Sequence, residues 1–163
     1  MTENLQMKRY IPRIQVLIAQ ETLEYSDKLR EIFKDDPDIY LIGVVADGRE
    51  LVSWMLNRQI DIIVTDMSLP IMDGLFTMQL ISNLNNKSKF IFFTDYDDEW
   101  LIRKAINMGA AGFVSRNSED ACIKDAIKVV YRGGAYIDID SLKKLSQYNL
   151  KAVDMSKFSE YLT

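Results

Sequence analysis

With 163 residues, one cysteine, no histidine and a formal net charge of −4, the chain suits one domain with short extensions, and it excludes a disulfide framework, Ser-His or Cys-His catalysis and histidine metal sites. Acids and bases are interleaved, which argues against this piece binding nucleic acid by itself. No apolar run is long enough to span a bilayer and no signal-peptide pattern opens the sequence, so a cytoplasmic protein away from membranes is expected.

Residues 1–12 mix polar and basic side chains without a period and read as a flexible lead-in. Ile14 to Ala19 is the first strand. A helix follows, with Tyr25, Leu29, Ile32 and Phe33 on one face, and Pro37 stops it. Tyr40 to Val45 is the second strand and Arg49 to Leu56 a short helix. The β-branched run from Ile60 ends the third strand at Asp66, and Pro70 and Gly74 punctuate the turn after it. Leu75 to Leu84 is helical, and Phe90 to Thr94 is the fourth strand. Asp98 reads as the N-cap of a helix carrying Leu101, Ile102, Ala105 and Met108, which Gly109 ends. Gly112 to Ser115 is a short fifth strand. Ser118 with Glu119 and Asp120 opens the last long helix, which Gly133-Gly134 ends. Ser141 to Gln147 reads as a further helical turn or two, and the polar, aperiodic stretch from Tyr148 to Thr163 as linker.

Five alternations of strand and helix predict a doubly wound, five-stranded parallel α/β sheet of flavodoxin-like order 2-1-3-4-5, with helices on both faces. Such sheets place their ligands at the carboxyl ends of the strands. The residues at those ends are Gln20 and Glu21, Asp66, Thr94, and Arg116. Acids, a hydroxyl and a cation on one rim make a phosphoryl site. The carboxylate would be the nucleophile, a divalent cation would neutralise charge, and hydroxyl and guanidinium would hold phosphate oxygens.

Here the chain resembles the receiver domain of two-component response regulators over about residues 12–140. The resemblance rests on Val16-Leu17-Ile18, on Asp66 to Gly74, on Phe93-Thr94, and on Gly109 to Phe113. Gly133-Gly134-Ala135-Tyr136 is similar to the LuxR/NarL-type branch, and the final Leu162-Thr163 to the start of that branch's effector domain. The resemblance implies a receiver at 13–140, then a short helix and linker at 141–163 leading to a DNA-binding helix-turn-helix domain outside this chain. It implies Asp66 as acceptor of a phosphoryl group from a histidine kinase. Thr94 and Phe113 would be the switch pair, Arg116 the phosphate contact, and Glu21, Asp66 and the Ser68 carbonyl the Mg²⁺ ligands. Homodimerisation through the face of the fourth helix, fifth strand and fifth helix, or through the first and fifth helices, would carry the output, without catalytic turnover.

The departures from that pattern are as informative as the match. The family's two acids after the first strand are Gln20 and Glu21 here, one uncharged and one longer by a C–C bond of about 1.5 Å. Mg²⁺ tolerates such misplacement poorly, so a weak site at most is expected. Arg116 stands for the family's lysine and offers a planar fork that can bind Asp66 itself. Asp95 puts a second acid beside the acceptor, limiting access if it points inward. Together these predict an atypical receiver with impaired or absent Mg²⁺-dependent phosphorylation, the alternatives being a conventional receiver or a stand-alone one that acts through protein partners. Simpler readings stand beside several residues. Glu21 reads equally as ligand or helix cap, Phe113 as switch or static core, and Thr94 as a strand former. Asp73 reads as a turn or cap residue, Cys122 as core, and Trp100 as a better interface candidate than Trp54. A flavoprotein is disfavoured, because Ala19 to Leu23 lacks a phosphate-cradling loop.

Overall fold

Alternate side chains of the β-branched and aromatic runs point to opposite sides of the strands and so require cover on both faces. The computed structural model describes residues 13–84, 86–95 and 98–148. The expected lead-in at 1–12, the linker from 149 on, and Tyr96 and Asp97 of the acidic loop lie outside the described residues. The elements in chain order are β1 (Ile14–Ala19), α1 (Leu23–Lys34), β2 (Ile39–Val45), α2 (Gly48–Met55), β3 (Ile62–Thr65) and α3 (Gly74–Asn83). They continue as β4 (Lys89–Thr94), α4 (Glu99–Asn107), β5 (Gly112–Ser115), α5 (Asp120–Tyr131), β6 (Tyr136–Ile137) and α6 (Ile139–Tyr148).

All strand pairs are parallel and the order is β2-β1-β3-β4-β5-β6. The sheet therefore has six strands, not the expected five. The sixth is two residues long, too short to show a period of two, and follows the glycines that end α5. The helix expected from Ser141 begins at Ile139.

Two apolar layers result. Leu17, Ile63, Phe92 and Phe113 face α2, α3 and α4 through Leu51, Met78 and Ile102, and Leu145 of α6 joins this layer. Val16, Val64, Ile91 and Val114 face α1 and α5 through Leu29, Phe33, Ile123 and Ile127. Gly43 sits under the Trp54 indole, where an added Cβ would lie 2.6 Å from a ring carbon. Trp54 is thus packed on β2 and also stacked by Arg58, whereas Trp100 is 64% exposed.

Among the described residues, four helices start on an aspartate whose carboxylate accepts a first-turn N–H: Asp47 from Glu50 at 2.8 Å, Asp73 from Phe76 at 2.8 Å, Asp98 from Leu101 at 3.0 Å, and Asp138 from Ser141 at 2.7 Å. Each such cap is worth about 1 kcal/mol. Asp73 is thereby a cap, as its position after Pro70 suggests.

At the amino end of the strands, Lys128 of α5 ties down the loop after α1. Its Nζ lies 3.0 Å from Asp36 Oδ2 and 3.7 Å from Asp38 Oδ2. Burial pushes the Asp36 carboxyl up, but the Asp38 N–H and the Lys128 ammonium outweigh it and hold the group below its ordinary 3.8. The hydrogen bond to Asp36 in turn raises Lys128 above 10.5. Asp36 therefore contributes stability that is present above pH 3.8 and lost as pH falls through the lowered value. Asp36→Asn is expected to flatten the acid side of a urea-midpoint-against-pH curve and to leave its slope near neutrality unchanged.

Candidate functional site

The rim residues are brought together by the sheet's own hydrogen bonds, which run one residue past the strand ends. The N–H of Gln20 donates to Val45 C=O at 3.1 Å, that of Asp66 to Ala19 C=O at 3.0 Å, and that of Arg116 to Thr94 C=O at 3.2 Å. Each side chain thus leaves from a fixed backbone position. The amino end of α3 rests on the same place. A Cβ at Gly74 would lie 2.1 Å from the Asp66 carbonyl oxygen, so only glycine fits there.

Asp66 is 6% exposed and both its carboxylate oxygens are engaged. Oδ1 accepts from Thr94 Oγ1 at 2.6 Å, and Oδ2 from Arg116 Nη2 at 2.9 Å. The same Nη2 donates to Gln20 Oε1 at 2.6 Å, and Nη1 to Asp95 Oδ2 at 3.3 Å. Arg116 therefore does not grip Asp66 as a two-nitrogen fork; its donors are shared among Asp66, Gln20 and Asp95, which approach from three strand ends. Gln20 is held in turn by its Nε2 on Phe93 C=O at 3.3 Å.

Tyr25, from the first turn of α1, lies over the guanidinium with the ring centroid 3.6 Å from Cζ. Its hydroxyl donates to Asp95 Oδ2 at 3.3 Å. One turn on, Lys28 Nζ donates to Arg116 C=O at 3.2 Å. Tyr25 and Lys28 are site residues that sequence reasoning missed. Their signal was position: they follow the β1 tip on the helix that must cross it. The helical period assigns Tyr25 to the apolar face of α1, and its ring is half-buried.

Asp95 turns toward Arg116 and Tyr25 and stands over the pocket with its side chain 50% exposed. Phe113 is fully buried among the α4-side residues. Glu21 and Ser68 are exposed on their loops. Glu21 does not cap α1 either, since the residue before that helix is Thr22 and it makes no side-chain cap bond.

Mg²⁺ requires near-octahedral oxygen donors at about 2.0–2.1 Å. Here Asp66 Oδ2 and Gln20 Oε1 both point at a guanidinium nitrogen, and Glu21 faces solvent. In this arrangement the donor set does not fit Mg²⁺. Among the described residues no cluster of three or more carboxylate, thiol or imidazole groups is placed to hold a metal. The site offers instead a buried anion neutralised from within the chain.

Comparison with known proteins agrees with this architecture. The response regulator receiver domain family model matches residues 16–128, and the chain belongs to that family. It is 28% identical to the response regulator UvrY of Escherichia coli K12 over 133 residues, covering 82% of this chain and 61% of UvrY. It is 32% identical to the oxygen regulatory protein NreC of Staphylococcus carnosus over 107 residues, 65% of this chain and 48% of NreC. The chain thus spans about three fifths or less of these relatives' length. A LuxR-family two-component response regulator from Aurantimonas superposes with a TM-score of 0.80 at 20% identity, over 85% of this chain and 99% of that one. The isolated receiver domain of RcsB from Salmonella enterica, with a beryllofluoride phosphomimetic, superposes at 0.75 and 16% identity, over 82% and 98%. At those identities the likeness concerns the fold.

Removing one member of a buried ion pair strands the other charge, at a cost of about 3 kcal/mol or more. Arg116→Met is expected to lower the urea unfolding free energy by that amount, and Asp66→Asn added to it to restore most of the loss. Gly74→Ala is expected to destabilise by about 1–3 kcal/mol through overpacking against Asp66, measured the same way.

Proposed function

We propose that the chain is an atypical receiver, the regulatory and dimerisation module of a LuxR/NarL-type transcription factor, in which Mg²⁺-dependent phosphorylation of Asp66 is impaired or absent. The observation that carries this reading is the Arg116 guanidinium bound to both Asp66 and Gln20. It stands where a phosphodonor and a metal would have to compete with it, and Asp95 adds negative charge at the entrance. Thr94 already donates to Asp66, and Phe113 is already buried. In the resemblance, that pairing belongs to the switched state. An internal cation therefore does here what a phosphoryl group does in a conventional receiver, and the module acts as a switch without turnover.

Its output then depends on abundance, on a bound partner or ligand, or on self-association. α6 lies against α4 and β5, which favours α1 and α5 as the homodimer face. DNA would be bound by a separate carboxyl-terminal domain, and a histidine kinase would be dispensable as phosphodonor.

Incubation with acetyl phosphate and Mg²⁺, followed by intact mass, tests the proposal. The wild-type chain is expected to stay unmodified. The triple variant Gln20→Asp, Glu21→Asp, Arg116→Lys is expected to gain one phosphoryl group, which Asp66→Asn abolishes. Stoichiometric modification of the wild type would establish the conventional receiver instead.

A further inference from the structure

One buried carboxylate outside the pocket faces the same strand end from the other side. Asp138 joins β6 to α6 and is 3% exposed. Its main-chain N–H donates to Phe113 C=O at 3.1 Å, continuing the β5–β6 pairing by one residue. Its Oδ2 accepts the N–H of Ser115, the last residue of β5, and the Ser118 hydroxyl at 3.1 Å. Its Oδ1 accepts the Ser141 N–H at 2.7 Å in the first turn of α6, and its carbonyl oxygen the Leu142 N–H at 2.9 Å. One side chain thereby holds the end of β5, the loop after it and the start of a helix.

Two of those partners border Arg116. Ser115 precedes it directly, and Ser118 follows two residues later in the loop. Arg116 cannot leave Asp66 by main-chain movement without disturbing the peptide that Asp138 grips. β6 ends at Ile137, so the buried Ser115 N–H lies beyond the last ladder residue and depends on this carboxylate. On the far side, Leu145 of α6 is 4% exposed and belongs to the apolar cluster of Ile102, Ala105, Ile106 and Phe113.

We propose that Asp138 is a positioning residue that couples the Arg116–Asp66 pocket to the docking of α6, with the helix seated on α4 and β5 while the pocket is closed and released when Arg116 is displaced. The inference deepens the atypical-receiver reading and rests on it in one respect, that Arg116 rather than a phosphoryl group sets the state of the pocket. α6 is the two-state element, and the Asp138 carboxylate is the joint between it and the site. A hydrogen-bonded joint of this kind implies energetic coupling, so perturbations at its two ends are non-additive.

Amide hydrogen exchange at Leu142 to Leu145 in the full chain measures the docking. Asp138→Ala removes the cap and the Ser115 link together, and is expected to speed exchange there about tenfold while β3 and β4 amides keep their rates. Arg116→Lys is expected to speed the same amides about threefold in the wild-type background and not at all in Asp138→Ala. Should Asp138→Ala unfold the whole chain, Asp138→Asn serves in its place. Asparagine still caps α6 through its carbonyl but presents an amide to Ser115, so the response to Arg116→Lys is lost while the helix persists. Equal, independent effects of the Arg116 and Asp138 variants would overturn the coupling, as would unchanged α6 exchange in Asp138→Ala. Phosphoryl uptake by the wild type, read separately by intact mass, would overturn the atypical-receiver reading and leave the exchange result to decide the coupling.

Discussion

Arg116 is buried to 8% exposure yet carries a full charge, and that constraint organises the carboxyl rim. A guanidinium out of water must find acceptors for its donors or lose several kcal/mol of hydration without return. Three acceptors from three strand ends, and the face of an aromatic ring, meet the need. Of the guanidinium nitrogens of Arg116, Nε is buried without a hydrogen-bond partner. Such an ion pair adds little net stability over a well-packed apolar equivalent. What it does is tie together the loops after β1, β3, β4 and β5, whose residues share the one guanidinium.

The scaffold makes that arrangement cheap in entropy. β1 ends level with β3, and β4 with β5, with β4 running two residues past the end of β3, and the ladder bonds at Gln20, Asp66 and Arg116 fix the backbone from which each side chain leaves. The two-layer core sets the outward and inward sense of each strand. A slip of one residue in β3 would exchange Ile63 for Val64 across the sheet and turn the rim inside out.

Much of this was legible from the sequence, for identifiable reasons. Asp66, Thr94, Gln20 and Arg116 were placed on one rim because each directly ends a strand whose apolar run is unambiguous. Asp98 and Asp73 were legible as caps because capping is a local property of a few residues. Tyr25 and Asp138 were not, because their site contacts lie twenty or more residues away: Tyr25 reads as one more apolar helix position, and Asp138 is not singled out by the sequence. The sharing of Arg116 among several acceptors was equally hidden, since spacing tells which groups converge but not how donors are divided. β6 was missed because a two-residue strand has no pattern of its own. Its existence follows from β5 having a free edge, a property of the assembled sheet.

The brevity of β6 also has a mechanical consequence. Ladder bonds from Tyr136 to Ala111 and from Asp138 to Phe113 attach it to the rest of the sheet. A tether pulling on the end of α6 would load this short seam and the Asp138 joint first, so force transmitted from that side would peel away α6 with β6 and leave the other five strands paired.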